Sequence, residues 1–414
     1  MKRTRVLLSI IMVLALMLSA CSKTSGDGTG DGSGDVTASN KIIIFQSKVE
    51  ISDQLEALAK EYQKETGVEV EVWGTTGDDY FQQLKTKLSN NQGPTLFSLA
   101  PGSESRQLSA YLEDLKDLSF IDKIASGMAD TVDGKLAGIP YTVEGFGLVY
   151  NKSLIDASKI TDNASLIAMM QDMQSKGITG VGLSQESYFL IGHILNTPFA
   201  VQDKPAEFLD KLLKGEAKIA DTDAFKQFAE VYDAIRTYSY NPLEVNYDKE
   251  CGDFATGKTA AIHQGNWCYG MFADYNVDFE MGFMPLPICG NDKLAVSVPA
   301  AWYVNSQASD ADKLAGKNFL NWLYTSDTGK HYLMDEFGFI PVVDGMENAN
   351  LDPLSKEVAR FTSEGKTMPW PMSDWPAGIV DVHLVPVAEQ FFTTGMSTDE
   401  LLTALDQAFE NASK

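Results

Sequence analysis

Two tryptophans in this chain stand beside planar polar groups: Trp267 follows Asn266, and Trp375 follows Asp374. A pyranose ring presents an apolar C–H face edged by hydroxyls. A site for such a ring needs a flat aromatic platform next to hydrogen-bonding groups. Each pair supplies both, so all four residues are candidates for contact with a neutral, polyhydroxylated ring. Trp302 and Trp370 are further candidate platforms, whereas Trp322 falls in register with Leu314 and Asn318 on an ordinary helix. His193 shares a helical face with Leu190 and Ile194 and reads as a core histidine. Glu144 is a lone carboxylate in the run Ile139-Pro140-Tyr141-Thr142-Val143-Glu144-Gly145-Phe146-Gly147. It reads either as a solvated edge-strand glutamate or as a hydroxyl acceptor between two lobes. The rival chemistry pairs Glu144 with Glu186 as acid and nucleophile of a glycoside hydrolase. That requires carboxyls about 5–5.5 Å or about 6.5–9.5 Å apart, a spacing no sequence supplies.

Other chemistries find less support. The four histidines (His193, His263, His331, His383) are scattered, with no HExxH and no Cys/His cluster, so neither a metal nor another cofactor is expected. Beyond Cys21 there are only Cys251, Cys268 and Cys289, without a CxxC. That excludes a disulfide framework and leaves open a single bridge or free thiols. Residues 252–259, Gly-Asp-Phe-Ala-Thr-Gly-Lys-Thr, match a phosphate-binding loop letter for letter. Such a loop needs a strand before it and a helix after it. Here the pattern predicts the reverse, a helix over 248–256 and a strand over 259–263.

The elements that must position these residues alternate. A buried strand at 42–45 is followed by a helix with Ile51, Leu55, Leu58 and Tyr62 on one face, then a strand at 68–73 where Val alternates with Glu. Asp78 and Asp79 precede a helix carrying Phe81, Leu84 and Leu88 inward, and a third strand follows at 95–99. This rhythm predicts βαβ units and a largely parallel sheet. It returns with helices at 164–174, 188–195 and 225–235 and strands at 178–183, 259–263 and 279–284. Residues 295–305 read as one long extended segment, and helices fill 313–324, 329–337, 380–392 and 398–408.

The beginning of the chain differs. Lys2, Arg3 and Arg5 precede an apolar run over 7–20 that is short of the roughly 20 residues a spanning helix needs. Small residues, Leu18-Ser19-Ala20, lead to Cys21, and a Gly/Ser/Asp tract covers 22–40. This is the pattern of a secretory signal peptide over 1–20. The Cys after Leu-Ser-Ala resembles the bacterial lipobox, which implies a lipidated Cys21 followed by a flexible leash to residue 40 and a body tethered to the membrane through the lipid anchor alone. The remainder exceeds the roughly 250–300 residues at which one core splits, so two lobes are expected. The net charge is −24 over 414 residues. Lys2, Arg3 and Arg5 lie in the leader, so the negative charge falls on the body, which argues against nucleic acid and anionic membrane surfaces.

The run over 133–152 resembles the crossover segment of ABC-transporter solute-binding proteins of the maltose-binding-protein-like family. Gly257-Lys258-Thr259-Ala260-Ala261-Ile262 with Gly265-Asn266-Trp267, Phe319-Leu320-Asn321-Trp322-Leu323, Gly338-Phe339-Ile340-Pro341, Met372-Ser373-Asp374-Trp375 and Thr394-Gly395 follow in the family's order. The resemblance covers 41–414. It implies an α/β, two-lobed periplasmic-binding-protein-like fold of type II with three hinge crossovers, near 143–145, 295–299 and 340–345. One lobe would comprise 41–143 with 299–341 and the other 144–298 with 342–414. It implies a monomeric, non-enzymatic receptor at the extracellular face of a bacterial membrane that passes an oligosaccharide to ABC permease subunits. Carried over residue by residue, it adds Lys48, Glu186 and Tyr188 to Glu144, Trp267 and Trp375 as sugar contacts. The loop after the third strand, Ala100-Pro101-Gly102-Ser103-Glu104, departs from maltose binders, although Ser103 keeps a hydroxyl donor there. Residues 50–88, with Gly77-Asp78-Asp79-Tyr80-Phe81, look most like raffinose and melibiose binders, which implies an α-galactoside.

Overall fold

The computed structural model describes residues 36–74 and 80–413. The leader, Cys21 with its lipidation, and Gly77, Asp78 and Asp79 lie outside the described residues. In chain order the strands are β1 (Lys41–Gln46), β2 (Glu69–Gly74), β3 (Leu96–Leu99), β4 (Asp130–Val132), β5 (Lys135–Pro140), β6 (Glu144–Asn151), β7 (Thr179–Gly182), β8 (Thr259–Gly265), β9 (Met281–Met284), β10 (Leu294–Ser297), β11 (Ala301–Val304) and β12 (Thr367–Met368).

They form two sheets. The first has the order β2-β1-β3-β11-β5-β4, with β1, β2 and β3 parallel and β11 antiparallel between β3 and β5. The second has the order β12-β10-β6-β8-β7. In it β10 pairs with the first residues of β6, and β9 pairs with the last residues of the same edge. The alternation of side chains across a strand divides the apolar residues of the first sheet between two layers. Ile42, Ile44, Leu96 and Trp302 pack with the helices Ser52–Thr66 and Asp310–Thr325 on one face. Phe45, Phe97 and Tyr303 pack with the helix Tyr80–Ser89 on the other. The second sheet is layered likewise: Leu148 and Ala261 face one core, Val149 and Ile262 another. Helices on both faces make near-continuous apolar strands stable, as β6 illustrates by being buried along its whole length.

Three expectations are corrected. Neither sheet is largely parallel: β3–β11, β11–β5 and β4–β5 pair antiparallel in the first, and β10–β6, β6–β8 and β6–β9 in the second. Residues 295–305 are not one extended segment: β10 belongs to the second sheet and β11 to the first, and the chain crosses between them at 298–300. Nor does the chain leave the first core at Pro341, because Val342, Val343 and Met346 still pack there and Val343 bridges Ile124. The phosphate-loop match is disposed of as its sequence context predicted. The helix Tyr247–Ala255 precedes it, Gly257 turns the chain at φ 74°, and β8 follows.

Candidate ligand-binding site

The polar candidates gather beyond the carboxyl ends of parallel strands, where open α/β sheets present their ligand sites. Lys48 follows β1 and Ser103 follows β3, while Glu186 and Tyr188 follow β7, and Asn266 and Trp267 follow β8. Glu144 opens β6 at the crossover from the first sheet. The Lys48 Nζ donates to Glu144 Oε1 at 2.6 Å, and Glu50 lies 3.9 Å from the same ammonium. Burial pushes the Glu144 carboxyl above its ordinary range, against the opposing pull of Lys48. Burial also works to lower the Lys48 pKa, but Glu144 and Glu50 override it and hold the amine above its usual value. The turn Val49–Ile51 packs on Asn266–Phe272, the segment that carries Trp267.

An aromatic wall rises from the second sheet. His193 stands at its centre, 4.6 Å from Phe146, 5.2 Å from Trp267, 5.6 Å from both Tyr188 and Phe189, and 6.3 Å from Trp370, between ring centroids. Phe189 lies nearly parallel to Trp267 at 6.2 Å, and Phe146 packs on Trp370 at 4.9 Å. The wall keeps Trp267 and Phe189 half-buried and Tyr188 exposed. Tyr188–Gly192 forms a widened π-type turn, a local departure from the α-helix that recurs at functional sites. The Trp267 ring lies over Gly265, where a Cβ would come within 2.1 Å of it. Its Nε1 donates to Gln264 Oε1 at 3.0 Å.

Several candidates have work within the protein. Asn266 accepts from the Gly145 N–H at 3.0 Å and donates to Ser355 Oγ at 3.0 Å, so its amide ties the end of β8 to the start of β6. Glu186 Oε1 accepts from the first N–H of the helix Tyr247–Ala255 at 3.0 Å, whereas its Oε2 is buried without a partner. Asp374 accepts from Arg106 at 2.8 Å, and nearby the Ser373 carbonyl fills the space where Gly102 lacks a Cβ. Ser103, next to Gly102, therefore lies at a second contact between the segments that carry the two sheets.

Trp302 and Trp375 are not platforms. Trp302 is on a central strand covered on both faces, has no solvent exposure, and packs 4.0 Å from Tyr141. Trp375 leaves the turn Pro371–Asp374 pointing inward and packs between Phe199 at 5.0 Å and Phe409 at 5.5 Å. Proximity to Asp374 in sequence was misleading, since successive residues leave a tight turn in different directions. Trp370, also buried, packs on Phe146 and His193 at the back of the aromatic wall. Asn196 fixes its loop, donating to the Pro369 carbonyl and accepting from the Met372 N–H.

Sequence reasoning set His193 aside. Burial, helped by His263, holds its pKa well below the ordinary value, so it is neutral, and its Nδ1 has no hydrogen-bond partner. The adjacent aromatics at 188 and 189, one turn before His193, were the available signal.

Residues 57–368 match the family described as bacterial extracellular solute-binding protein. Over 359 residues the chain is 24% identical to the maltooligosaccharide ABC transporter solute-binding lipoprotein of Streptococcus pneumoniae, covering 82% of this chain and 80% of that protein. It is 20% identical over 390 residues to the melibiose/raffinose/stachyose-binding protein of Bacillus subtilis, covering 89% and 87%. Its fold superposes on a chitin oligosaccharide binding protein with a TM-score of 0.76 at 19% identity, over 90% of this chain and 99% of that one.

Proposed function

The chain belongs to the bacterial extracellular solute-binding protein family, and we propose that it is the receptor of an ABC importer that captures a neutral oligosaccharide between its two lobes. The observation that carries this reading is the aromatic wall around Trp267 beside the Lys48–Glu144 cluster. Stacking on the wall would supply much of the affinity, and the charged cluster would hydrogen-bond to hydroxyls. Closure of the lobes over the sugar requires higher affinity in the closed state than in the open one. The protein would then deliver its cargo, unaltered, to the permease subunits. In this reading a diacylglyceryl group on Cys21 holds the body, as a monomer, at the extracellular face of the membrane.

Transport rather than hydrolysis is supported by the family and by the relatives named above, which are binding proteins. The finer reading is an α-galactoside of the raffinose type, supported by the Bacillus subtilis relative. The test is a thermal-shift screen of residues 41–414 against raffinose, stachyose, melibiose, maltotriose, chitotriose, amino acids and polyamines. A ligand at about a hundred times its Kd adds about 2.7 kcal/mol of stability. Stabilisation by one sugar class, with that sugar recovered intact, supports the receptor reading. Hydrolysis products would overturn it, and a response to maltotriose or chitotriose without raffinose would overturn the galactoside assignment.

A further inference from the structure

Behind Trp267 lies a buried hydrogen-bond chain that none of the ligand contacts requires. Glu250, on the helix Tyr247–Ala255, accepts through Oε2 from Gln264 Nε2 at 2.7 Å. Gln264, on β8, accepts through Oε1 from Trp267 Nε1 at 3.0 Å. Glu250 and Gln264 have no solvent exposure. We infer that Glu250 is a positioning residue for the sugar platform: it sets the orientation of the Gln264 amide, and that amide fixes the Trp267 ring. This rests on Trp267 being the platform, as proposed above.

The argument is one of donor and acceptor polarity. An indole N–H only donates, and a glutamine amide has one accepting and one donating end. Flipped by 180°, Gln264 would turn its NH2 toward the indole N–H, leaving two donors facing each other in a dry interior, at the cost of unsatisfied buried groups. Glu250 supplies the acceptor that holds the NH2 end away. Gly265 lets the ring lie flat on the backbone, Phe146, Phe189 and His193 pack against it, and the hydrogen bond fixes its Nε1 edge.

The carboxyl is buried with Ser184 and the titratable groups Glu186, Tyr240, Tyr247, Cys251 and Cys268 around it, and no cation among them. Burial accordingly pushes it up to about 8. Of the other titratable groups around Trp267, His193 is held well below its ordinary value, and Lys48 and Cys268 are held above theirs. Glu144, also raised by burial, is told apart by substitution: a titration near pH 8 at the Trp267 indole that vanishes in Glu250→Gln reports Glu250.

Two measurements test the relay. The first needs no ligand: 15N-tryptophan-labelled protein, with the Trp267 indole resonance assigned by its loss in Trp267→Phe. In the wild type that resonance should move with pH with a midpoint near 8, and in Glu250→Gln it should not move. A resonance that is indifferent to pH between 6.5 and 9.5, or one that still titrates in Glu250→Gln, overturns the relay. The second is a double-mutant cycle read as raffinose affinity. Glu250→Leu should weaken binding about tenfold, Glu250→Gln should stay within about twofold, and Glu250→Leu should have no further effect in a Trp267→Phe background. Equal losses in both backgrounds would mean a general structural role and overturn the relay. If Glu250→Leu fails to fold, Gln264→Leu replaces it in the same cycle. The expected titration without any raffinose response would uphold the relay and count against the galactoside reading alone.

Discussion

Lys48 and Glu144 meet at 2.6 Å although one follows the first strand of the first sheet and the other opens the central strand of the second. They are 96 residues apart in the chain. The contact joins the two halves of the molecule at a crossover, and it places opposite charges where little water reaches them.

Removing one partner of such a pair leaves the other's charge buried and unmatched, typically at about 3–5 kcal/mol. We expect Lys48→Met to lose about 3 kcal/mol near pH 7. Burial already raises the Glu144 pKa, so without Lys48 this carboxyl takes up a proton readily and the deficit should shrink as pH falls toward 5. Urea unfolding at pH 5 and pH 7.5 checks this. A deficit independent of pH would contradict the assignment of the charge to Glu144.

Glu250 gives a pH dependence of defined sign. Folded, it keeps its proton up to about pH 8, while the unfolded chain releases it near 4.5. The folded state therefore binds more protons between these values, and stability falls as pH rises through this window, by about 1.4 kcal/mol per unit. Glu250→Gln removes that slope. Its Tm relative to wild type should increase steadily from pH 5 to pH 8. A constant difference would show that Glu250 does not titrate in this range.

Trp267 and Trp375 should respond oppositely to truncation. Trp267→Ala should reduce sugar affinity at least tenfold while the circular dichroism spectrum stays native. Trp375→Ala empties a core site against Phe199 and Phe409 and should cost about 3–5 kcal/mol of stability. Calorimetric titration and denaturant unfolding of both variants separate the two roles.

Arg106 and Asp374 form an exposed ion pair. Such pairs contribute about 0–1 kcal/mol and weaken with salt. Arg106→Ala should thus change sugar affinity by at most about fivefold, and the difference should vanish near 1 M salt. A loss of a hundredfold would mean that Arg106 touches the ligand.

The strands at 42–45, 68–73 and 95–99 and the helix ending before Gly257 were legible because each is written locally, in apolar periodicity and in glycine punctuation. So was the candidacy of Trp267, whose neighbours Gly265 and Asn266 form a compact motif at the end of a strand. What the chain could not declare was where a ring points once distant elements pack against it. Trp302 and Trp375 have the same chemistry as Trp267, yet one lies beneath two covered faces of a sheet and the other turns into a helical core. Trp370 and His193 enter the wall because residues 146, 188, 189 and 267 reach them from separate elements. The break within 295–305 was equally invisible, since two short strands in different sheets have the same apolar pattern as one long one. Local pattern thus determined the elements and the inventory of possible contacts. Burial, ring packing and the pairing of Lys48 with Glu144 depend on residues brought together across the chain, and only the tertiary structure decided them.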